Sequence, residues 1–329
     1  MNIIVDAFGG DNAPLEIIKG CRRAADKLGV SITLAGPEDK IQACAGENKI
    51  SLEGMELLHA PSVFEMEYEP QTILREHSDT SMAVGLKALA AGEGDAFVSA
   101  GSTGALLIGS TLIVKRIRGV RRAAIAVVMP AADKPFVLLD AGANAECTAE
   151  MLGHFALLGS AYAKHVLGTQ NPRVGLINIG TEENKGDPLR QEAYALLKSK
   201  ANINFIGNIE AREIPLGGCD VAVADGFTGN VALKLYEGMG KMLMGKLKGL
   251  FLGNPLGWLS ALPAAPGLLK LKKQMDYKEH GGAPLLGLSA VVIKAHGSSD
   301  AKAIFNAIRQ AKACVEGKVV ETIKEGIKE

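Results

Sequence analysis

The chain has 329 residues, of which 47% are hydrophobic and 22% are charged, and its 36 basic residues balance its 36 acidic ones. This composition excludes a disordered protein, and the lack of net charge argues against a nucleic-acid-binding protein. The length is sufficient for a large α/β enzyme. The N-terminal sequence MNIIVDAFGGD reaches Asp6 without a basic region or a long apolar segment. We therefore expect a first strand here, not a secretion signal, and a cytoplasmic protein.

The cysteines and histidines show no pattern of a disulfide or metal site. The five cysteines are odd in number, far apart and never paired as CxxC, and the six histidines show no HExxH or similar spacing. We expect buried thiols and neither a metal nor a cofactor. Cys147, at the start of a helix, could accept an acyl group, but a buried thiol is the more common role of such a residue.

The chain in order alternates short apolar runs with amphipathic helical patterns. Alternation of this kind predicts a mostly parallel sheet covered by helices on both faces, and we expect a three-layer α/β/α sandwich that forms one domain over residues 1–329. The predicted strands are at residues 2–7, 32–35, 55–59, 97–100, 124–128, 136–140, 173–180, 204–207 and 221–224. The predicted helices are at 14–28, from about 37, at 79–91, from about 103, at 150–166, at 189–198 and from about 228, and a turn at 280–288 precedes further helices.

The sequence VAVADGFTGNVALK at 221–234 is the most informative part of the chain, because it predicts a strand, a turn and a helix start in direct succession. Its apolar residues predict a buried strand, its Asp-Gly pair a turn, and its last residues the start of a helix. An acid, an amide and an ammonium meet in this unit beside backbone N–H groups that a helix N-terminus leaves free. Such a place suits an anion. The residues concerned are Asp225, Gly226, Gly229, Asn230 and Lys234.

Other polar, glycine-rich turns follow predicted strands: FGGDNAP, SAGSTG, DAGANAE and TEENKGDP. Because the carboxyl ends of parallel strands meet at one edge of a sheet, these turns predict a single crevice, and glycine lets a ligand approach the backbone closely. We expect Lys185, Asp225 and Asn230 to be catalytic. We expect substrate or phosphate to be bound by Gly9, Gly10, Asp11, Ser99, Gly101, Ser102, Thr103, Gly104, Asn144, Gly226, Gly229, Lys234, His280, Gly281 and Gly282.

Less specific interpretations compete with these assignments. Lys185 is equally compatible with a solvated loop lysine, and Asp225 with Asn230 is compatible with a simple turn and helix cap. SAGSTG has Ser in place of the first glycine of a dinucleotide fingerprint. The basic sequence KRIRGVRR is typical of a solvated helix end and also suits an acidic partner.

Residues 250–269 contain no charge but include three prolines and three glycines. The length alone would admit a membrane span, but the prolines and glycines argue against a continuous helix. We interpret the segment as the apolar tip of a protruding helical hairpin at about 230–275. It suits contact with a membrane surface or an acyl chain, and a buried dimer contact is the alternative. The contacting residues would be Leu250, Leu256, Trp258, Leu259 and Leu262.

The sequences VSAGSTGALL, DAGANAE, NIGTEENKGD, FIGNIEAREI, ADGFTGNVALK and HGGAPLLG occur in this order after FGGDNAP. Over essentially its whole length the chain resembles the bacterial phosphate acyltransferases of phospholipid synthesis (PlsX). The resemblance implies a homodimer with the fold of phosphotransacetylase and the isocitrate dehydrogenase superfamily. It also implies transfer of a long-chain acyl group from acyl carrier protein to inorganic phosphate, giving acyl phosphate for a membrane glycerol-phosphate acyltransferase. The chain departs from the family at Glu76, His77 and Ser78, where basic residues are common.

Phosphate is a nucleophile at neutral pH and a thioester has a good leaving group, so direct attack requires positioning and charge neutralisation. We expect Lys185 and the N–H groups of the turn 226–229 to hold phosphate and Asn230 to donate to it or to the oxyanion. Asp225 would orient Lys185 or take the phosphate proton. The carrier protein would meet Arg116, Arg118, Arg121 and Arg122. A short-chain phosphotransacetylase, a nicotinamide-dependent decarboxylating dehydrogenase and a membrane scaffold without activity are the alternatives.

Overall fold

The computed structural model describes residues 1–252, 266–267 and 281–328. Within them, twelve strands form two sheets with helices on both faces. The strands are β1 (Asn2–Asp6), β2 (Ser31–Gly36), β3 (Met55–His59), β4 (Ala96–Ser99), β5 (Ala124–Ile125), β6 (Val127–Met129), β7 (Phe136–Leu139), β8 (Val174–Asn178), β9 (Phe205–Glu210), β10 (Val221–Val223), β11 (Ala283–Leu286) and β12 (Val291–Lys294). The α-helices are α1 (Leu15–Leu28), α2 (Glu38–Glu47), α3 (Ser81–Ala91), α4 (Thr103–Gly109), α5 (Ala149–His165), α6 (Pro188–Ser199), α7 (Gly226–Leu252), α8 (Ala301–Glu316) and α9 (Val319–Gly326).

Both sheets are mostly parallel, which confirms the predicted class of fold. The larger sheet has the order β3-β2-β1-β4-β12-β11-β5, and the smaller one has the order β6-β7-β10-β8-β9. Only the pairings of β11 and of β6 are antiparallel among these strands. Strands buried on both faces consist of continuous apolar residues, which is why the sequence marks them clearly.

Different helices cover the two faces of the larger sheet. Ile3 and Val98 point to the side of α1 and α8, whereas Ile4 and Phe97 point to the side of α3 and α4. Leu233 of α7 packs into the cluster on the α3 side. The N-terminal half of α7 therefore lies on that side, where it borders both sheets.

Two strand predictions were wrong in detail. Residues 124–128 were predicted as one strand, but the structure divides them between β5 and β6, which belong to different sheets. The region predicted as a turn followed by helices contains β11 and β12 before α8 begins. A run of only four β-branched or apolar residues does not show a period by itself, and β12 is fixed by its position between β4 and β11.

The helix that follows β10 is long, with 27 residues, and it begins at Gly226, two residues earlier than predicted. It supplies the first arm of the predicted hairpin. Leu250, near its end, is 67% exposed. The other predicted contact residues, Leu256, Trp258, Leu259 and Leu262, lie outside the described residues, as does His280. No helix in the described part of the chain is long and apolar enough to cross a membrane.

Candidate active site

Asp225 is the buried carboxylate that lies between β10 and α7 and caps α7. Its Oδ1 accepts a hydrogen bond from the Thr228 amide at 2.9 Å, and its Oδ2 accepts one from the Thr228 hydroxyl at 2.8 Å. The Arg190 guanidinium, from the first turn of α6, donates to the same Oδ2 and to the Thr228 hydroxyl. The side chains of Arg190 and Asp225 are 15% and 7% exposed. Asp225 thus pairs with Arg190, which the sequence analysis missed, and not with Lys185, which was one of the two roles expected for it.

Two glycines allow α7 to dock on the turn after β7. The Gly226 amide donates to the Asn144 carbonyl at 2.7 Å, and a Cβ at position 226 would lie 2.6 Å from that oxygen. A Cβ at position 229 would overlap with the backbone carbonyl of Asp140. Only glycine fits at these two positions. The sequence analysis predicted both residues to bind substrate or phosphate, and the structure shows that each is needed for the packing of α7 on this turn.

The turn itself is built around the buried carboxylate of Asp140. The amides of Ile125, Gly142 and Ala143 donate to its Oδ1 at 3.0 to 3.2 Å. Asn144 donates to Oδ2 through both its backbone amide and its side chain. Burial raises the pKa of Asp140, although these hydrogen bonds act in the opposite direction. The Asn144 side chain also donates to the Ala123 carbonyl, so both of its amide protons hold the turn.

Most backbone amides of the first turn of α7 are used within the protein. The amides of Gly226 and Thr228 are bound as described above, and the Gly229 amide donates to the Asp225 carbonyl at 2.9 Å. Among the described residues, only the Phe227 amide of this turn has no acceptor. The expectation that the whole turn holds phosphate through its amides was therefore too broad, because the Asn144 carbonyl, the Asp225 carboxylate and the Asp225 backbone carbonyl each accept from one of them.

Lys185 and Asn230 lie at the same edge of the smaller sheet. Lys185 is in the loop after β8, which is the neighbour of β10. The Asn178 side chain donates to the Lys185 carbonyl at 3.1 Å and anchors this loop. A Cβ at Gly186 would lie 2.8 Å from the Arg190 Cβ, so the loop also touches the arginine that holds Asp225.

The two side chains themselves are exposed. The Lys185 ammonium makes no ion pair within the described residues. Asn230 lies over the turn after β7, about 3.5 Å from where a Cβ of Gly142 would be. An ammonium and an amide are thus available to a ligand beside a helix N-terminus. Lys234 differs, because its ammonium pairs with Glu237 at 3.0 Å.

The larger sheet contributes a second polar edge. The buried Asp6 carboxylate accepts hydrogen bonds from the Ser81 hydroxyl at 2.6 Å and the Ser99 hydroxyl at 2.7 Å, and burial raises its pKa. The Gly101 amide donates to the Ser99 hydroxyl. A Cβ at Gly9 would lie 2.6 Å from the Asp6 carboxylate. Ser99, Gly101 and Gly9 therefore form the packed base of this edge.

The neighbouring predicted residues have mixed roles. The Ser102 hydroxyl caps α4 by accepting from the Ala105 amide, and Gly104 packs against Pro70. Thr103 is exposed at the start of that helix. Gly281 and Gly282 pack against α8 at the beginning of β11.

A third loop, which the sequence analysis did not single out, joins this edge after β12. The Asp11 amide donates to the Gly297 carbonyl at 2.8 Å, and Gly10, with φ of +98°, lies against the same oxygen. The pKa of His296 in this loop is lowered, first by burial and then by the charges of Lys294 and Lys234. Since Lys234 belongs to α7, the loop lies within electrostatic reach of this helix.

This fold and site define a class: an α/β enzyme that offers an ammonium and an amide to an anion at the carboxyl edge of parallel strands. The sequence model of the family described as "Fatty acid synthesis protein" matches residues 1–322. A phosphate acyltransferase from Desulfitobacterium hafniense is 46% identical over 326 residues, which is 99% of this chain and 97% of that protein. One from Caldanaerobacter subterraneus is 45% identical over 328 residues, with the same coverage of both chains. The chain therefore belongs to the phosphate acyltransferase (PlsX) family and is an acyltransferase.

The fold has a counterpart among solved structures. The EutD phosphotransacetylase from Staphylococcus aureus aligns with a TM-score of 0.65 and 19% identity, over 95% of this chain and 94% of that one. This likeness confirms the phosphotransacetylase-like architecture predicted from the resemblance. At this identity it concerns the fold alone.

Proposed function

We propose that the enzyme transfers a long-chain acyl group from the thioester of an acyl carrier protein to inorganic phosphate. The products are acyl phosphate and the free carrier thiol, and a membrane glycerol-phosphate acyltransferase would consume the acyl phosphate. The observation that carries the proposal is the contact of the Lys185 loop with Arg190, which holds the Asp225 cap of α7. This contact links the Lys185 loop to the start of the helix that carries Asn230, and it supports a phosphate site formed by the two side chains beside the positive end of a helix dipole.

In the proposed reaction, one phosphate oxygen attacks the thioester carbonyl and the carbon–sulfur bond breaks. Lys185 neutralises phosphate and the Asn230 amide donates either to phosphate or to the carbonyl oxygen as it gains charge. The Phe227 amide is the remaining backbone donor of the helix N-terminus. No covalent enzyme intermediate is required. Consistent with this, Cys147 is half-buried, and burial raises its pKa to about 11, so the thiolate is disfavoured.

Asp225 has a positioning role in this proposal. Its two oxygens are bound by Thr228 and Arg190, and a carboxylate so engaged repels phosphate less than a bare one would. The pair fixes the start of α7 relative to α6. The Lys185 loop, which follows β8 and precedes α6, contacts Arg190 and is thereby linked to the start of the helix that carries Asn230.

A basic surface supports docking of an acidic carrier. Arg118, Lys324 and Lys328 line a surface cleft of about 510 Å³ together with Ile117 and Ile327. Arg116 and Arg122 belong to the same segment, whereas Arg121 is paired with Glu150 at 2.9 Å. Arg122 precedes Ala123, whose carbonyl binds Asn144 in the site, so the basic segment runs close to the crevice.

The acyl chain would follow apolar side chains of α7. Leu235, Met239, Met242, Leu243 and Leu250 are exposed on this helix, and exposed apolar surface of this extent indicates a binding partner. Each buried methylene of an acyl chain contributes about 0.8 kcal/mol, which favours long chains.

We further propose that the enzyme is a cytoplasmic homodimer and that its hairpin tip rests on the inner face of the membrane.

The test is release of free thiol from acyl carrier thioester with and without phosphate. Phosphate-dependent release supports acyl transfer, and release without phosphate or no release contradicts it. Parallel assays with acetyl and palmitoyl donors distinguish the proposal from a short-chain phosphotransacetylase, which would prefer the acetyl donor. A membrane scaffold without activity would release no thiol from either donor, and a nicotinamide-dependent dehydrogenase would instead change cofactor fluorescence on titration.

A further inference from the structure

Asp6, Ser99 and Lys294 form a polar row across three neighbouring parallel strands. Each is the last residue of its strand, and Lys294 is paired with Ser99 in the register of β12 and β4. The Ser99 hydroxyl donates to Asp6 at 2.7 Å. Residues paired in a parallel sheet point to the same face, so the Lys294 side chain lies on the face of Ser99 and Asp6.

This face is the one that α7 borders. Side chains two residues apart on a strand share a face, and the residues two positions before the row are Ile4, Phe97 and Val292. All three belong to one apolar cluster with Leu233 of α7. Lys294 is therefore at the carboxyl edge of the larger sheet and on the side of the helix that carries Asn230.

The Lys294 ammonium is partly buried and has no carboxylate partner. Its Nζ donates to the carbonyls of Ala100 and Ala295, and within the described residues it makes no ion pair. Two carbonyls use two of its three protons. A lysine held away from water without a carboxylate in direct contact destabilises a fold, which indicates that its position serves the site.

We propose that Lys294 is a catalytic residue that donates a proton to the thiolate released from the acyl thioester. This inference rests on the acyl transfer proposed above. It gives the crevice two cations with separate tasks: Lys185 on the smaller sheet binds phosphate, and Lys294 on the larger sheet serves the leaving group.

A phosphate oxygen forms the new bond to the carbonyl carbon, and the carbon–sulfur bond breaks with its electron pair on sulfur. A proton moves from Nζ of Lys294 to sulfur, giving the free thiol. The neutral amine then regains a proton from the P–OH group of the acyl phosphate, so the enzyme returns to its starting state without a further reactant.

The acidity of Lys294 suits this task. Burial lowers its pKa to about 8, against the opposing effect of Asp6 and Asp11. That value is close to the ordinary pKa of a thiol, about 8.5, and proton transfer is most effective between groups of similar pKa. The other titratable groups near this position are His296, on the loop after β12, and Lys234 and Glu237 of α7, which act on His296.

The test compares Lys294→Met with the wild type on two thioesters of one fatty acid, the pantetheine thioester and the thiophenol ester. Thiophenolate leaves readily without a proton, because a thiol of lower pKa is the better leaving group. We expect kcat/KM to fall by about 100-fold with the pantetheine thioester and by less than about fivefold with the thiophenol ester. An equal loss with both donors, or no loss, would overturn the proposal.

Two further variants separate proton donation from charge and from folding. Lys294→Arg keeps the charge but cannot give up a proton at neutral pH, so we expect it to resemble Lys294→Met; recovery of activity would show that charge suffices and would overturn proton donation. Lys312→Met is the matched control, since Lys312 also donates to a backbone carbonyl, that of Leu28, far from the crevice. It should leave both activities unchanged, and a loss there equal to that of Lys294→Met would count against a specific role.

The wild type alone provides a second test if the variants do not fold. Phosphate ionisation affects the rate of both reactions equally, so its effect cancels in the ratio of the two activities. We expect the ratio of pantetheine to thiophenol activity to be constant below pH 8 and to fall above it, as Lys294 loses its proton. A ratio independent of pH would overturn the proposal, whereas no phosphate-dependent release from either donor would overturn the acyl transfer itself.

Discussion

Gly229 lies so close to the backbone carbonyl of Asp140 that any side chain at position 229 would overlap with it. The contact joins the first turn of α7 to the turn after β7, and neither partner is the flexible end of a side chain. Because the side-chain carboxylate of Asp140 accepts five hydrogen bonds, the turn that carries this carbonyl is firmly held. The position of Asn230 therefore depends on the absence of a Cβ atom at position 229.

Replacing Gly229 with Ala should displace α7 and reduce kcat/KM for phosphate by about 100-fold or more, with a lower melting temperature, because misplacement by about 1 Å costs this much. The matched control is Gly238→Ala on the same helix, where a Cβ would meet nothing within 4 Å. There we expect unchanged activity and a gain of about 0.5–1 kcal/mol from helix propensity. Equal effects of the two substitutions would contradict the role of the Asp140 contact.

The buried pair of Arg190 and Asp225 should be strongly coupled. Arg190→Met leaves a buried carboxylate without its cation and should lower the free energy of unfolding by roughly 3–5 kcal/mol. Asp225→Asn keeps an acceptor for the Thr228 amide but loses the charge. In the double variant we expect less destabilisation than the sum of the two, by about 1 kcal/mol or more, as measured by denaturant unfolding. Simple additivity would show that the two side chains act independently.

Much of this site is visible in the sequence because glycine and polar residues follow apolar strands. Gly226 and Gly229 indicate a turn at the end of a strand even when the residues that they pack against are unknown. The location of the site at the carboxyl edge of the sheet could therefore be predicted. The partners of these glycines could not, since Asp140 and Asn144 lie more than 80 residues earlier in the chain. Arg190 looks like an ordinary charged residue of an amphipathic helix, and only the pairing of β8 with β10 brings the start of α6 within reach of Asp225.

Lys294 was missed for a different reason. Four apolar residues precede a lysine and a histidine, and so short a run is compatible with either a strand or a buried helix. The run becomes a central strand only through pairing with β4, almost 200 residues earlier. Local patterns do not contain such long-range pairings, and the chemistry that depends on them appears only in the folded chain.

Lys185 should be required for phosphate and for little else. Lys185→Ala should reduce kcat/KM for phosphate at least tenfold, because a charge-assisted contact with an oxyanion is lost. Lys198→Ala is the control: this exposed lysine pairs with Glu183 of the same loop at 2.6 Å but does not border the helix N-terminus. An unchanged kcat/KM in Lys185→Ala, measured over a range of phosphate concentrations, would remove the residue from the site.

Lys294 should lower stability in a manner that depends on pH. Its pKa falls from 10.5 in the unfolded chain to about 8 in the fold, so the unfolded state binds more protons between these values and wild-type stability rises there. Lys294→Met should therefore be more stable than the wild type by roughly 1–3 kcal/mol at pH 7, and this gain should disappear as the pH approaches 10.5. A gain that does not change with pH, in urea unfolding of both proteins, would refute the buried charge as its cause.

The basic cleft should affect the carrier protein and not small donors. Charge reversal by Arg118→Glu and Lys324→Glu should raise KM for acyl carrier thioester about tenfold at low salt, and less at high salt, because the attraction is screened. The kcat and KM for the acyl pantetheine thioester should not change. Reversal of Lys27 and Lys40, exposed on α1 and α2, makes the same change in net charge and should have no effect. Equal losses with carrier and pantetheine donors would place the two cleft residues in the chemistry or in folding, not in docking.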